Sequence, residues 1–214
     1  IAAGDPGLLI TVDCGTGSVA AVNEAKRRGI DVVVTDHHEP PAEVAAAAAV
    51  VNPKLGAPAT AVSLAGVGVA FKLAHALLKA ARAQNMAGAG ALDLRDSLDL
   101  VGLGTVADMV PLVGENRILA RHGLGRLQDT ASVGLRALME VCRIKPPFTS
   151  YHVGFVLGPR LNAAGRVASP MTALELLLTQ DATQAGKLAR LLDAANRERQ
   201  ETEAIIVEQA MRSV

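Results

Sequence analysis

A chain of 214 residues with 21 basic and 21 acidic side chains has a formal net charge of zero, so bulk charge gives no support to a nucleic-acid or membrane-surface partner. Half of the residues are hydrophobic and 20% charged, which excludes a disordered chain; with no Trp, one Tyr and three Phe, the core must use Ala, Val and Leu, and base stacking has few candidates. Cys14 and Cys142 lie far apart and no apolar run reaches the about 18 residues of a membrane span, so a cytoplasmic protein without a disulfide framework or thiolate zinc site is expected.

The chain starts Ile1-Ala2-Ala3-Gly4-Asp5-Pro6, without Met or a signal-type stretch, and enters a strand pattern at once, as a piece cut from a longer protein would. Leu8–Val12 is a short apolar run ending at Asp13, followed by Cys14-Gly15-Thr16-Gly17 as turn material. Ser18 is expected to cap a helix running to about residue 28, with Val19, Val22 and Ala25 on one face and Gly29 as its stop. Residues 30–35 form a β-branched run that again ends in an acid, Asp36. Strand, turn, helix, Gly, strand is a βαβ unit, which implies a parallel sheet with a right-handed crossover. A third strand is expected at 49–51, stopped by Asn52-Pro53.

From Ser63 the pattern turns helical. Helices are expected at 63 to about 84, 94–101, 117–127 and 133–142, with Pro146-Pro147 as a break. Residues 182 to about 212 have no Gly or Pro after Gly186 and read as one helix, longer than the about 8–20 residues usual in globular domains. The expected fold class is therefore α/β: a parallel sheet with flanking helices, then a helical region, then a long connecting helix. Residues 1–180 would be the main domain and 181–214 the connector.

Ligands of open parallel sheets gather beyond the carboxyl ends of the strands. Asp13 and Asp36-His37-His38 occupy such ends on neighbouring strands, about 5 Å apart. Carboxylate with neutral imidazole suits Mn²⁺, Fe²⁺ or Zn²⁺, and carboxylate alone suits Mg²⁺. A third acid, Asp108, lies in an apolar, Gly-rich stretch at 102–112, read as a loop, where an isolated charge is expensive. Each feature has a plainer reading. An Asp closing a strand is more often a turn or cap residue, a His pair more often surface, and Asp108 alone could cap a helix. Their joint occurrence is what speaks for a metal site.

Three blocks, Thr11-Val12-Asp13-Cys14-Gly15, Val33-Val34-Thr35-Asp36-His37-His38 and Gly104-Thr105-Val106-Ala107-Asp108-Met109-Val110-Pro111-Leu112, resemble the second, third and fourth motifs of the DHH phosphoesterases. Ser63-Leu64-Ala65-Gly66-Val67-Gly68-Val69-Ala70-Phe71 and the block from Gly154 to Arg166 resemble the RecJ-type, single-strand-specific 5′→3′ exonucleases within that family. The resemblance covers nearly the whole chain from Leu8, with all five blocks in order. It implies a DHH domain in which Asp13 bridges two Mn²⁺ or Mg²⁺ ions, with His37 and Asp108 as further ligands. His38 would meet the scissile phosphate or stand behind the ligands, and Asp36 would support the site. It implies two-metal phosphodiester hydrolysis without a Ser or Cys nucleophile; Cys14 is read as packing.

The resemblance also implies single-stranded DNA as substrate in recombination and repair, with a helicase and a single-strand-binding protein as partners of a monomer. Arg160, Asn162 and Arg166 are the candidates for phosphate contact, against the alternative that one Arg pairs with an interdomain acid. The basic residues of the last helix alternate with acids and read as a solvated face. One departure stands out: the family's first motif, an Asp-x-Asp-x-Asp-Gly type, has no counterpart before Asp13, and the later DNA-binding domain is absent too. Residues 1–214 alone are thus expected to bind metal incompletely and to turn over weakly. Two other readings stay open, a DHH hydrolase of short oligonucleotides or cyclic dinucleotides and a metal-dead DNA-binding relative.

Overall fold

In the computed structural model, which describes residues 7–56, 63–167 and 169–212 apart from the side chains of 166 and 167, β1 (Leu8–Val12), α1 (Val19–Arg27) and β2 (Asp31–Thr35) form a βαβ unit. The strands are parallel, with Val12 opposite Thr35. β3 (Ala49–Val51) pairs parallel to β2 on its other side, giving the order β1-β2-β3. Val32 and Val34 suit a pleated central strand, and they bury against Val22, Ala25, Ile30 and Ala45. Ser18 stands at the start of α1 but its hydroxyl makes no capping bond. Its ψ of 51° is not the extended conformation a capping side chain needs, and its backbone N–H donates to the Gly15 carbonyl instead.

The helices that follow are α2 (Gly66–Ala83), α3 (Leu98–Ala107) and α4 (Gly114–Leu127). Leu64, Val69, Val101 and Leu119 form their shared core, with Val67, Phe71 and Leu98 packed against it. The expected helix at 94–101 is instead a 3₁₀ turn, Leu94–Ser97, and then α3, which runs on through the segment read as a loop. Gly102 and Gly104 weaken a helix by about 1 kcal/mol each in isolation. Packing outweighs that cost, because Gly104 leaves the space that the Val67 side chain fills.

The chain divides into two compact units, Ile1–Gly123 and Leu124–Val214. The second is helical: α5 (Val133–Val141), a π-helical turn (His152–Leu157) running into α6 (Gly158–Val167), α7 (Pro170–Leu178) and α8 (Ala182–Arg212). Leu135, Leu138, Leu157, Leu176 and Leu192 are fully buried in it. The sequence predicts no helix between 149 and 178, because Pro159, Pro170 and several glycines look like boundaries. A mid-helix proline removes a backbone bond and crowds the carbonyl four residues back, and the wide π turn ahead of Pro159 takes up that mismatch. Asp181 caps α8, its Oδ1 accepting from the N–H groups of Thr183 (2.7 Å) and Gln184 (3.0 Å). The first half of α8 is packed from Ala185 to Asn196, whereas 200–212 is exposed. No helix among the described residues is long and apolar enough to cross a membrane.

Candidate metal centre

All three parallel strands stop at a polar residue: Asp13 after β1, Asp36 after β2 and Asn52 after β3. The edge they share is where an open parallel sheet presents its ligand groups. Asp13 has φ 63°, the left-handed region, in which Asp is among the better tolerated side chains. Its carboxylate is exposed, while His37 on the neighbouring strand end is buried.

His37 Nε2 lies 3.0 Å from Asp13 Oδ1 and 3.6 Å from Asp108 Oδ2, yet it makes no hydrogen bond. The Asp108 oxygen is beyond hydrogen-bond reach, and the Asp13 oxygen is near enough but not in line with a donated proton. A buried ring nitrogen facing two carboxylate oxygens without a bond is an expensive arrangement. A divalent cation bound by these atoms would relieve it, and imidazole with carboxylates is the donor set that Mn²⁺ and its neighbours accept. The residues present therefore fit such an ion. His38 belongs to the same cluster: one ligand atom each from Asp13, His37 and His38 lie within 4.8 Å of one another.

Asp36 is turned to a different task. Its Oδ1 accepts from the backbone N–H groups of His37 (2.8 Å) and His38 (3.2 Å), and it also pairs with His38 Nδ1 (2.8 Å). Its Oδ2 accepts from the Thr16 N–H (3.0 Å). Burial by itself would raise the Asp36 carboxyl, but the Thr16 and His38 bonds outweigh it and hold the group well below the usual carboxylate range. The same bond raises the His38 imidazole against the opposing effect of burial, helped by the charges of Asp36, Asp13 and Asp108. With Nδ1 held by Asp36, the His38 ring has Nε2 left to offer to the cluster.

Asp108 is the residue that closes α3. A helix carboxyl end carries partial negative charge, so an acid there is placed against the dipole. Its carboxyl is raised by burial first, lowered by His37, and raised again by Asp13. The segment reads from sequence as a loop; it is instead a helix, whose end brings Asp108 to His37.

Two residues of this centre were not singled out from sequence. Asn52 is buried, and its Nδ2 donates to the Thr16 hydroxyl (3.0 Å) and to the His38 carbonyl (3.0 Å). Thr16 in turn supports Asp36, so the loops after all three strands are tied together. The signal was available, because Asn52 holds the same strand-end position as Asp13 and Asp36. Cys14, expected to pack, is exposed and unpaired.

The remaining candidates belong to the second compact unit. Arg160 on α6 gives Nε to Asp193 Oδ1 (2.8 Å) and Nη1 to the Val156 carbonyl (2.8 Å). Arg197 takes the other Asp193 oxygen at 2.6 Å. The acid that engages Arg160 is thus on α8, within the same compact unit. Asn162 is exposed on α6, and the Arg166 side chain lies outside the described residues.

Residues 5–105 match the DHH family, N-terminal domain. The chain is 48% identical over 203 residues to the single-stranded-DNA-specific exonuclease RecJ of Dickeya dadantii, covering 92% of the chain and 35% of that protein. It is similar in fold to the crystal structure of RecJ from Thermus thermophilus in complex with Mn²⁺, with a TM-score of 0.84 and 36% identity over 95% of the chain and 30% of that structure. The Mg²⁺ complex from the same organism aligns with a TM-score of 0.73 and 34% identity, over 95% of the chain and 27% of that structure. The chain thus spans about a third of the length of these relatives.

Proposed function

Because the chain belongs to the DHH family, we propose that the protein carrying it is a RecJ-type exonuclease. It removes nucleotides from the 5′ end of single-stranded DNA by metal-dependent phosphodiester hydrolysis, in recombination and repair. The observation that carries this reading is the convergence of Asp13, Asp108 and the unbonded, buried His37 Nε2 at one strand edge. Two Mn²⁺ or Mg²⁺ ions in the intact site would neutralise phosphate charge and make the attacking water more acidic.

The chain's own side chains then divide the work. Asp13, His37 and Asp108 hold the ions. Asp36 fixes the His38 ring through Nδ1, so that its other nitrogen is aimed at a phosphate oxygen. Asn162 and Arg166 meet DNA phosphates on α6, which Arg160 anchors to α8 through Asp193. Water is the nucleophile, and no Ser or Cys is needed. The exposed far half of α8 supports its reading as the connector from a domain of residues 1–180 to a further domain. The protein works as a cytoplasmic monomer with a helicase and a single-strand-binding protein, and residues 1–214 alone turn over weakly.

The test sets single-stranded DNA of a dozen nucleotides or more against cyclic di-adenylate, each with Mn²⁺ and the full-length protein. Degradation of the DNA from its 5′ end is expected. A preference for the dinucleotide would overturn the exonuclease reading in favour of a small-substrate hydrolase. Asp13→Ala should abolish cleavage and leave DNA binding largely intact, and unchanged cleavage would remove Asp13 from the site.

A further inference from the structure

The block Ser63-Leu64-Ala65-Gly66-Val67-Gly68 contains no carboxylate or imidazole, yet it packs against the Asp13 carboxylate and against Gly104 of the helix that Asp108 closes. Gly66 opens α2 with its bare Cα against Asp13. A methyl group there would stand 2.7 Å from Asp13 Cγ and 3.1 Å from Asp13 Cβ, and still nearer to Oδ1. No real Cβ sits that close to a neighbour, so the carboxylate would have to leave its place. With the Asp13 backbone at φ 63° and its Cβ already at 3.1 Å, relief comes from rotating the carboxylate, which takes it away from His37 Nε2.

The next residue packs against the helix that carries the other acid. Val67 fills the space over Gly104, where an added Cβ would come within 2.8 Å of its Cγ1. The Gly104 carbonyl accepts the N–H of Asp108 at 3.0 Å. The block is also tied down from behind. Buried Asn116 donates to the carbonyls of Ser63 (2.6 Å) and Pro111 (3.0 Å), linking the segment ahead of α2 to the one just after Asp108.

We infer that Gly66 and Val67 are positioning residues: together they form a spacer that sets the Asp13 and Asp108 carboxylates at their separations from His37 Nε2. One side of the spacer is defined by the absence of a side chain and the other by the bulk of one. Neither residue touches the substrate or an ion. Their effect passes through the two acids, so it reads out first in metal affinity.

The inference rests on Asp13, His37 and Asp108 being the metal ligands, and the two can fail separately. In the full-length protein, Mn²⁺ affinity is measured by calorimetry for wild type and Gly66→Ala, with circular dichroism as the check on folding. A loss of about 10–100-fold is expected, the scale seen when groups that orient metal ligands are removed. Melting in the presence of chelator is compared in two backgrounds. Gly66→Ala should lower the midpoint when Asp13 is present and not when Asp13→Gly has emptied the space. Unchanged Mn²⁺ affinity, or an equal melting penalty in both backgrounds, would overturn the spacer. A wild type that binds no Mn²⁺ would overturn the metal reading beneath it. Should Gly66→Ala fail to fold, Gly104→Ala tests the other side: it should weaken Mn²⁺ binding, and Val67→Ala added to it should restore binding. No recovery would equally count against the spacer.

Discussion

Asn52 Nδ2 donates to the His38 carbonyl at 3.0 Å, so a buried amide just after β3 holds the backbone of a histidine on the loop after β2. The same amide reaches the Thr16 hydroxyl, and Thr16 donates its N–H to Asp36. Three loops are thereby locked by neutral and charged hydrogen bonds before any ion is bound. Preorganisation of this kind is what an electrostatic site requires, since ligands that must be gathered at each turnover cost affinity.

Asn52→Ala is expected to cost about 1–3 kcal/mol of stability, because it strips the Thr16 hydroxyl and the His38 carbonyl of a buried partner. Urea denaturation of the metal-free protein measures it. Cleavage should fall as well, through kcat more than KM, since the His38 position is blurred while the DNA path is untouched. A variant as stable as wild type would show that water replaces the amide and that the lock is dispensable.

Acid should expose the part played by Asp36. Its folded carboxyl is held below the ordinary value of 3.8, so the stability it contributes is present above that value and is lost as pH falls below it. In chelator, the midpoint of wild type should therefore drop as pH goes from about 5 to about 2, and Asp36→Asn should flatten that drop. Parallel curves for the two proteins would assign the acid sensitivity to other carboxylates.

Asp108 should show the opposite sign. Its carboxyl is raised, so its charged form is disfavoured in the folded chain and costs stability at neutral pH. With the side chain 38% exposed, solvent discounts the effect. Asp108→Asn should stabilise the metal-free protein by about 0.5 kcal/mol, the scale of a misplaced charge at a helix end. That corresponds to a rise in melting midpoint of about 1–2 °C for a chain of this size. The same variant should lose Mn²⁺ affinity and cleavage. Greater stability with intact metal binding would leave Asp108 outside the ligand set.

The strand edge that carries the candidate site is legible in sequence because period and punctuation agree there. An apolar run at 8–12 and a β-branched run at 30–35, each closed by an acid, specify both the strands and the edge at which they end. Asp108 reads from sequence as a loop residue, whereas it closes α3 beside His37. The glycines of 102–104 read as breakers, and the Val67 side chain that makes Gly104 useful is far away in sequence. Asn52 reads from sequence only as a strand stop, since its bonds to Thr16 and His38 span 36 and 14 residues. The α6 helix was hidden by Pro159, whose mismatch is absorbed by a π turn that no local pattern announces.

Arg160 offers the sharpest division between structural and DNA-contacting roles. Its guanidinium is spent on Asp193 and the Val156 carbonyl, and only 18% of the side chain is exposed. Removing it leaves the buried Asp193 with Arg197 alone, on the exposed side. Arg160→Ala is therefore expected to lower stability by about 1–3 kcal/mol, the cost of a lost buried hydrogen-bond partner. Its effect on DNA affinity should then carry little salt dependence. A residue that neutralises a phosphate behaves differently: its loss flattens the slope of log affinity against log salt by about 0.7 for single strands. Arg166→Ala is expected to do this, with an unfolding midpoint close to wild type. Titrating single-stranded DNA against both variants over a range of salt separates the two roles. A flattened slope for Arg160→Ala would show that its guanidinium leaves Asp193 for the phosphate when DNA binds.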